Sequence, residues 1–185
     1  MARLSLSEVT SSAAVLFPDN TTKLITPAKM RQFISEFTTA IRPAYGYILQ
    51  TAPLVQALTT TPSPLVMSAS TVSPIVDFTC TPNIAKVTRN DPGMTRITIT
   101  ADIQGSTNTQ RLISFQIYKN GVATAWKQTI GLTTSTLIES ISLPALEYLN
   151  GIAEYQLMVS ADANYSVTFS NAAMICETVP VWTYT

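Results

Sequence analysis

"LISFQIYKNGVATAWKQTI", Leu112 to Ile130, decides the fold. Ile113, Phe115 and Ile117 alternate with polar residues, the two-residue period of a half-buried strand. Asn120-Gly121 stands where that run ends. Asn-Gly is the strongest short hairpin signal, because both central positions of the favoured turn need positive φ. A second arm then runs to Ile130, so the stretch reads as an antiparallel hairpin. The same pattern recurs on both sides of it. "TRITITADI" sets Ile97, Ile99 and Ala101 against threonines. "IVDFTC", "TLIESISL", "ALEYLNGIAEYQLMVSA" and "YSVTFSNAAMICETV" supply further short strands. Even spacing of short strands predicts a mainly β chain, with an antiparallel β-sandwich of the jelly-roll type over residues 75–185. "LPALEYLNG" is expected as a loop, and the tail "VWTYT" as a last strand or a segment docked on a neighbouring subunit.

The front of the chain differs. Residues 1–24 lack a sustained period and are expected as an extended N-terminal arm for attachment. Its apolar patch, Val15, Leu16 and Phe17, must be buried by a partner if its own domain does not bury it. Residues 25–43 read as an amphipathic helix. Thr26 suits the cap, Pro27 the first helical position, and Pro43 the stop. Met30, Ile34, Phe37 and Ile41 form an a/d-type seam that Phe33 widens. A helix this short is marginal alone in water, so it needs its own domain or copies of itself to lie on. Residues 44–74, rich in Pro, Thr and Ser, are expected as a connector, with room for an edge strand from Leu65 to Ala69.

Composition narrows the chemistry. Of 185 residues 46% are hydrophobic and only 12% charged, with 11 basic and 11 acidic side chains and a formal net charge of zero. Such a surface attracts neither nucleic acid nor an anionic membrane. No signal peptide and no membrane-spanning run is visible, so the expected product is soluble and made in a cytoplasm. There is no histidine, which removes the commonest general base and the commonest metal ligand. Cys80 and Cys176 make no zinc cluster; they read as free, mostly buried thiols, with a disulfide left open. No glycine-rich phosphate loop occurs.

A carboxylate pair is the remaining route to catalysis. Asp77, Asp102, Glu139, Glu147, Glu154, Asp162 and Glu177 are the candidates, and each reads as a strand face or turn cap. Lys86, Arg89 and Arg96 around "NDPGM" read as a charged loop. Tyr118, Trp126, Tyr148, Tyr165, Trp182 and Tyr184 are the candidate aromatics for stacking on a sugar, against core and cross-strand packing. The chain is therefore expected to be no enzyme, with no catalytic, cofactor-binding or metal-binding residues and no cofactor.

The front resembles bacteriophage virion proteins. "LFPDNTTKLITPAKMRQFISEF", Leu16 to Phe37, carries a Phe-Pro-Asp-Asn turn, an "I-T-P-x-x-M-R" run and a short amphipathic helix. The rear is similar to the trimeric jelly rolls of complement globular heads and tumour necrosis factor. "ISFQIYKNG" and "YLNGIAEYQLMVSADANYSVTFSNAAMICE" carry that likeness: Gly151, Tyr155, Leu157, Val159, Phe169 and Met174 fall on the family's places. Ile152 departs, where the families often have Asp. The resemblance implies a homotrimeric knob on a virion. The expected function is that of a structural virion protein, a capsid-attached head fibre or decoration (cement) protein. The arm would hold the major capsid or another virion protein. The alternative is a receptor- or glycan-binding module of a phage tail or fibre, with a host-surface glycan as partner. Neither nucleic acid nor membrane insertion is expected.

Overall fold

The computed structural model describes residues 11–13, 15, 26–41, 44–67, 70–74, 77–90, 93–133, 138–149 and 151–179. The chain divides into two units, Met1–Pro43 and Ala44–Thr185.

In the second unit the hairpin forms as its sequence predicts. Strand β8 (Arg111–Lys119) turns at Asn120 and Gly121, with φ of 49° and 78°, into β9 (Val122–Leu132). Asn120 also docks the turn: its Oδ1 accepts from the Glu154 N–H at 2.8 Å. The remaining strands are β1 (Tyr45–Gln50), β2 (Leu54–Leu58), β3 (Ser63–Pro64), β4 (Ser70–Pro74), β5 (Phe78–Thr81), β6 (Lys86–Arg89), β7 (Gly93–Gly105), β10 (Ile138–Leu149), β11 (Ala153–Ala161) and β12 (Tyr165–Val179).

They form two antiparallel sheets. The first runs β10-β7-β12-β1-β4, with β2 also on β12; the second runs β5-β6-β11-β8-β9, with β3 also on β11. Eight of the strands follow one rule. Taking β1, β6, β7, β8, β9, β10, β11 and β12 in order, the first pairs with the last, the second with the seventh, the third with the sixth and the fourth with the fifth. That is a hairpin rolled up on itself, which is a jelly roll. Both sheets turn alternate residues inward. Ile97, Ile99, Ile103, Phe115, Ile117, Tyr155, Leu157, Val159, Phe169 and Met174 are all sealed in the core between them.

Three stretches differ from expectation. Residues 44–74, expected as a connector, contribute four strands. β1 pairs with both β12 and β4, and β2 pairs with the front of β12. The prolines are accommodated because buried glutamines supply hydrogen bonds that the irregular backbone lacks. Gln56 Nε2 donates to Pro64 O at 2.9 Å, and its Oε1 accepts from Val66 N at 3.1 Å. Gln50 Nε2 donates to Phe169 O at 3.1 Å. Of the expected edge strand at 65–69, residues 65–67 hold a bridge from Val66 to Ile84, and residues 68 and 69 lie outside the described residues. "LPALEYLNG" is no loop: β10 runs through Pro144, which pairs with Thr98. β10 is an edge strand, and a proline is tolerated there because the missing N–H can face away from the ladder. Third, Lys86–Arg89 is strand β6 and Arg96 lies inside β7, so the basic residues expected on a charged loop lie on strands.

At Gly46 the two sheets come close together. A Cβ there would sit 2.7 Å from Phe78 Cβ and 3.1 Å from Cys80 Sγ. Gly46→Ala is expected to destabilise the unit by about 1–3 kcal/mol through overpacking. Urea unfolding checks this, and an unchanged midpoint would show that β1 and β5 can separate freely.

The first unit holds helix α1 (Pro27–Ile41). Its capping is as predicted: Thr26 Oγ1 accepts from Lys29 N at 3.3 Å, and Thr26 O accepts from Met30 N at 3.1 Å. Ser12 donates to Glu36, which with a second bond from Gln32 holds that carboxyl below its usual range. Within residues 1–24, expected as an extended arm, the described residues 11–13 and 15 are helical instead.

Candidate interaction surfaces

The two outer faces of the sandwich differ in character. On the second sheet the outward residues are mostly polar, with Lys86 and Thr88 on β6, Glu154 and Gln156 on β11, Ser114 and Gln116 on β8 and Lys127 and Thr129 on β9, and with Leu112 and Met158 as apolar exceptions. On the first sheet, register aligns apolar and aromatic side chains into rows near one end. Tyr148, Met94 and Val179 form the outermost row. Leu146, Arg96, Glu177 and Tyr45 form the next. Pro144, Thr98, Ile175 and Tyr47 form the third, and Leu49 lies one row further along β1. Tyr148 is 57% exposed, Leu146 56% and Ile175 37%. The Tyr45 and Tyr47 rings stack at 6.2 Å.

One ion pair crosses this face. Arg96 Nε donates to Glu177 Oε1, and that contact raises the guanidinium's proton affinity. Each charge is answered within the face, so another apolar surface can cover it without stranding a lone charge.

The helix carries a second apolar stripe. Within its own unit Ile34 is 54% exposed, and Met30 and Phe37 are also exposed. Phe33 is half-buried and stacks on Phe37 with ring centroids 6.1 Å apart. Ile41 closes the helix, and its side chain lies outside the described residues. Of the arm patch, Val15 is exposed; Leu16 and Phe17 lie outside the described residues.

The carboxylates are dispersed and mostly engaged. Asp102 accepts from Ser140 Oγ at 2.6 Å and Asn171 Nδ2 at 2.8 Å, in that order the causes that lower its pKa. Glu147 accepts from Lys119 Nζ at 2.7 Å and from the Tyr155 hydroxyl at 2.9 Å. Burial, then that bond, pushes the Tyr155 phenol up. Glu154 pairs with Lys86 at 2.7 Å, and Glu177 with Arg96. Asp162 stands 4.0 Å from Arg111. Asp77 is buried, and Glu139 is half-buried on β10.

The basic residues do not gather into one patch. Lys86 and Arg96 point to different sheets, and Arg89 is buried, donating to Gly93 O at 3.0 Å and to Thr95 Oγ1. A sequence window merged them because it counts neighbours along the chain, whereas a strand reversal separates them. Among the aromatics, Trp126 packs against the core and Tyr165 is buried, Tyr118 is half-buried, and Tyr148 is exposed. Trp182 and Tyr184 lie outside the described residues.

Both cysteines are free thiols. Burial pushes Cys80 up to about 11 and raises Cys176, which is sealed in the core, as well. Neither is a thiolate near neutrality, so neither is a nucleophile there. Among the described residues no group of three His, Cys, Asp or Glu side chains is placed to hold a metal ion, and no helix is long and apolar enough to cross a membrane.

At the opposite end from the apolar rows, the ends of β2 and β7 and the start of β12 frame a shallow depression of about 500 Å³. Its walls carry hydroxyl and amide side chains and Arg111. Sequence reasoning did not single out this feature, because its parts come from three distant segments.

No family model matches the chain, and no curated protein matches it. Solved structures do resemble it. A crystal structure of murine APRIL has a TM-score of 0.48 at 8% identity, covering 75% of this chain and 100% of that one. The globular domain of zebrafish complement 1qA has a TM-score of 0.48 at 10% identity, covering 76% and 99%. Eiger TNF from S. frugiperda has a TM-score of 0.47 at 12% identity, covering 77% and 97%.

Proposed function

We propose that the chain is a self-assembling structural module, a homotrimeric jelly-roll knob carried on a bacteriophage particle as a head-fibre or decoration protein. The observation that carries the self-assembly is the set of apolar and aromatic rows at one end of the outer face of the β10-β7-β12-β1 sheet, set against the mostly polar outer face of its partner sheet. A second copy of the chain is the occupant that fits. The face is rich in tyrosine and aliphatic side chains, as interface centres are. The net charge of zero gives copies no long-range repulsion.

The virion setting rests on the run from Leu16 to Phe37 and its resemblance to phage virion proteins. Three copies of a weak arm contact on one particle bind far more tightly than one, because the second and third contacts are intramolecular. In this reading Val15, Leu16 and Phe17 meet the capsid. Met30, Phe33, Ile34, Phe37 and Ile41 gather the chains into a short stem.

Sedimentation of the full chain tests the assembly, with a trimer expected and a monomer overturning it. Phe37→Asp, on the exposed helix stripe, is expected to loosen the trimer or its attachment while circular dichroism of the β unit stays unchanged. If mass and particle binding both persist, the helix has no such role. Immunogold labelling of phage particles from cells expressing the chain tests the setting; particles without gold would remove it.

The alternative, a receptor- or glycan-binding module, is favoured by one observation, the polar depression at the far end of the sandwich.

A further inference from the structure

We infer that Cys80 and Cys176 are a redox pair, two thiols set across the sandwich that close into a disulfide from β5 to β12 when a small-molecule disulfide oxidises them. The two residues lie far apart in sequence and on opposite sheets. Gly46 brings them to one gap. On β1 it is the register partner of Cys176. Residues directly opposite in an antiparallel pair point to the same face, with Cβ positions about 4.5–5.5 Å apart. Cys176 is sealed in the core, so that face is the inner one. From the other sheet, Cys80 Sγ stands 3.1 Å from the point that a Gly46 Cβ would take. The backbone N–H of Tyr47, next along β1, donates to the same sulfur. Both thiols therefore look into the space left by the missing side chain.

A disulfide needs its Cβ atoms about 4 Å apart. The strand able to supply the last shift is β5. It is four residues long, lies at the edge of its sheet and, among the described residues, pairs only with β6.

Exposure sets the order of events, since Cys80 is half-buried and Cys176 fully buried. The Cys80 thiolate attacks one sulfur of oxidised glutathione, and one glutathione thiolate leaves. The Cys176 thiolate then attacks Cys80 Sγ in that mixed disulfide, and the second glutathione leaves. The two thiols give up two protons and two electrons, and the oxidant becomes two molecules of glutathione. Burial keeps both thiols protonated near neutrality. At Cys176 the neighbouring Cys80 adds to that effect, Arg89 opposes it and Glu177 adds a little more. Closure is therefore slow at neutral pH, and a chain folded in reducing surroundings closes only after it leaves them. The closed ring encloses every strand from β6 to β11. A cross-link around so long a stretch restrains the unfolded chain strongly.

Incubation of the reduced full chain with oxidised glutathione at pH 9 tests this. Thiols are counted in denaturant, and the chain is weighed by mass spectrometry and run on a non-reducing denaturing gel. Both thiols should disappear together, with a loss of two hydrogens and no link between copies. The urea midpoint should rise by about 1 M or more over the reduced chain, and dithiothreitol should reverse the change. Cys176→Ala should stop at a glutathione adduct on Cys80, and Cys80→Ser should leave Cys176 unmodified. Two intact thiols, a stable adduct on Cys80 of the unsubstituted chain, a bond between copies or an unchanged midpoint would each overturn the inference. Thiol count and chain mass are read in denaturant, so a monomeric protein sinks the assembly reading and leaves this one standing.

Discussion

Phe169→Ala is expected to cost the β unit about 3–5 kcal/mol, the range for deleting a buried aromatic ring. Phe169 is sealed in the core and meets Phe115 edge to face, with centroids 6.2 Å apart and planes at 89°. The two rings come from opposite sheets, β12 and β8, so the pair is a direct cross-sheet contact. Domains of this kind are stable by only about 5–15 kcal/mol, so the substitution removes a large share of the total. Phe115→Ala should cost a similar amount. The double variant should fall short of the sum by roughly 0.5–1.5 kcal/mol, because the edge-to-face contact is lost only once. Urea unfolding followed by Trp126 fluorescence measures all three. A loss below about 1 kcal/mol for either single variant would mean that the sheets do not share a core at this point.

The same rings show how far the fold was legible in the sequence. Phe115 belongs to a run with uninterrupted alternation, Ile113-x-Phe115-x-Ile117, and a period of two needs no tertiary information. Phe169 was harder. Along β12 the inward residues are Val167 and Phe169, then Ala172 and Met174. The parity flips at a bulge between Ser170 and Ala173, where Asn171 takes a φ of 50°. A period-two reading breaks there. Yet the bulge lets β12 serve β2 with its front and β1 with its rear. Residues 44–74 were illegible for a different reason. Their strands are short, proline-rich and held by Gln50 and Gln56 side chains reaching along or across the chain. No local propensity encodes a glutamine that replaces a backbone donor. The helix was read correctly because its signals, Thr26 and Pro27, are local.

The candidate surfaces divide in the same way. The helix stripe follows from spacing alone. The apolar rows of the first sheet do not, because Leu146, Ile175 and Tyr47 lie far apart in sequence and become neighbours only through register. Single exposed apolar residues are unremarkable. Their alignment across four adjacent strands is the informative feature, and it exists only once the pairing partners are known.

That alignment yields the last expected result. Ile175→Glu combined with Leu146→Glu should convert the proposed oligomer to monomer without unfolding it. Both side chains are already exposed within one chain, so the charged replacements keep their water in the monomer and cost little there. In an assembly closed over this face each would be buried. Arg96 is already committed to Glu177, so among the described residues of this face no free cation stands ready to answer the new carboxylates. An uncompensated buried charge costs about 3–5 kcal/mol, which weakens association by roughly two to four orders of magnitude per contact. Lys127→Glu, on the polar outer face of the other sheet, is the matched control and should leave the mass unchanged. Sedimentation reads the mass, and urea unfolding at low concentration confirms that the doubly substituted chain is folded. If the double variant keeps the native mass of the unsubstituted chain, copies do not meet through this face. The helix stripe, which Phe37→Asp probes separately, would then be the remaining site of self-association.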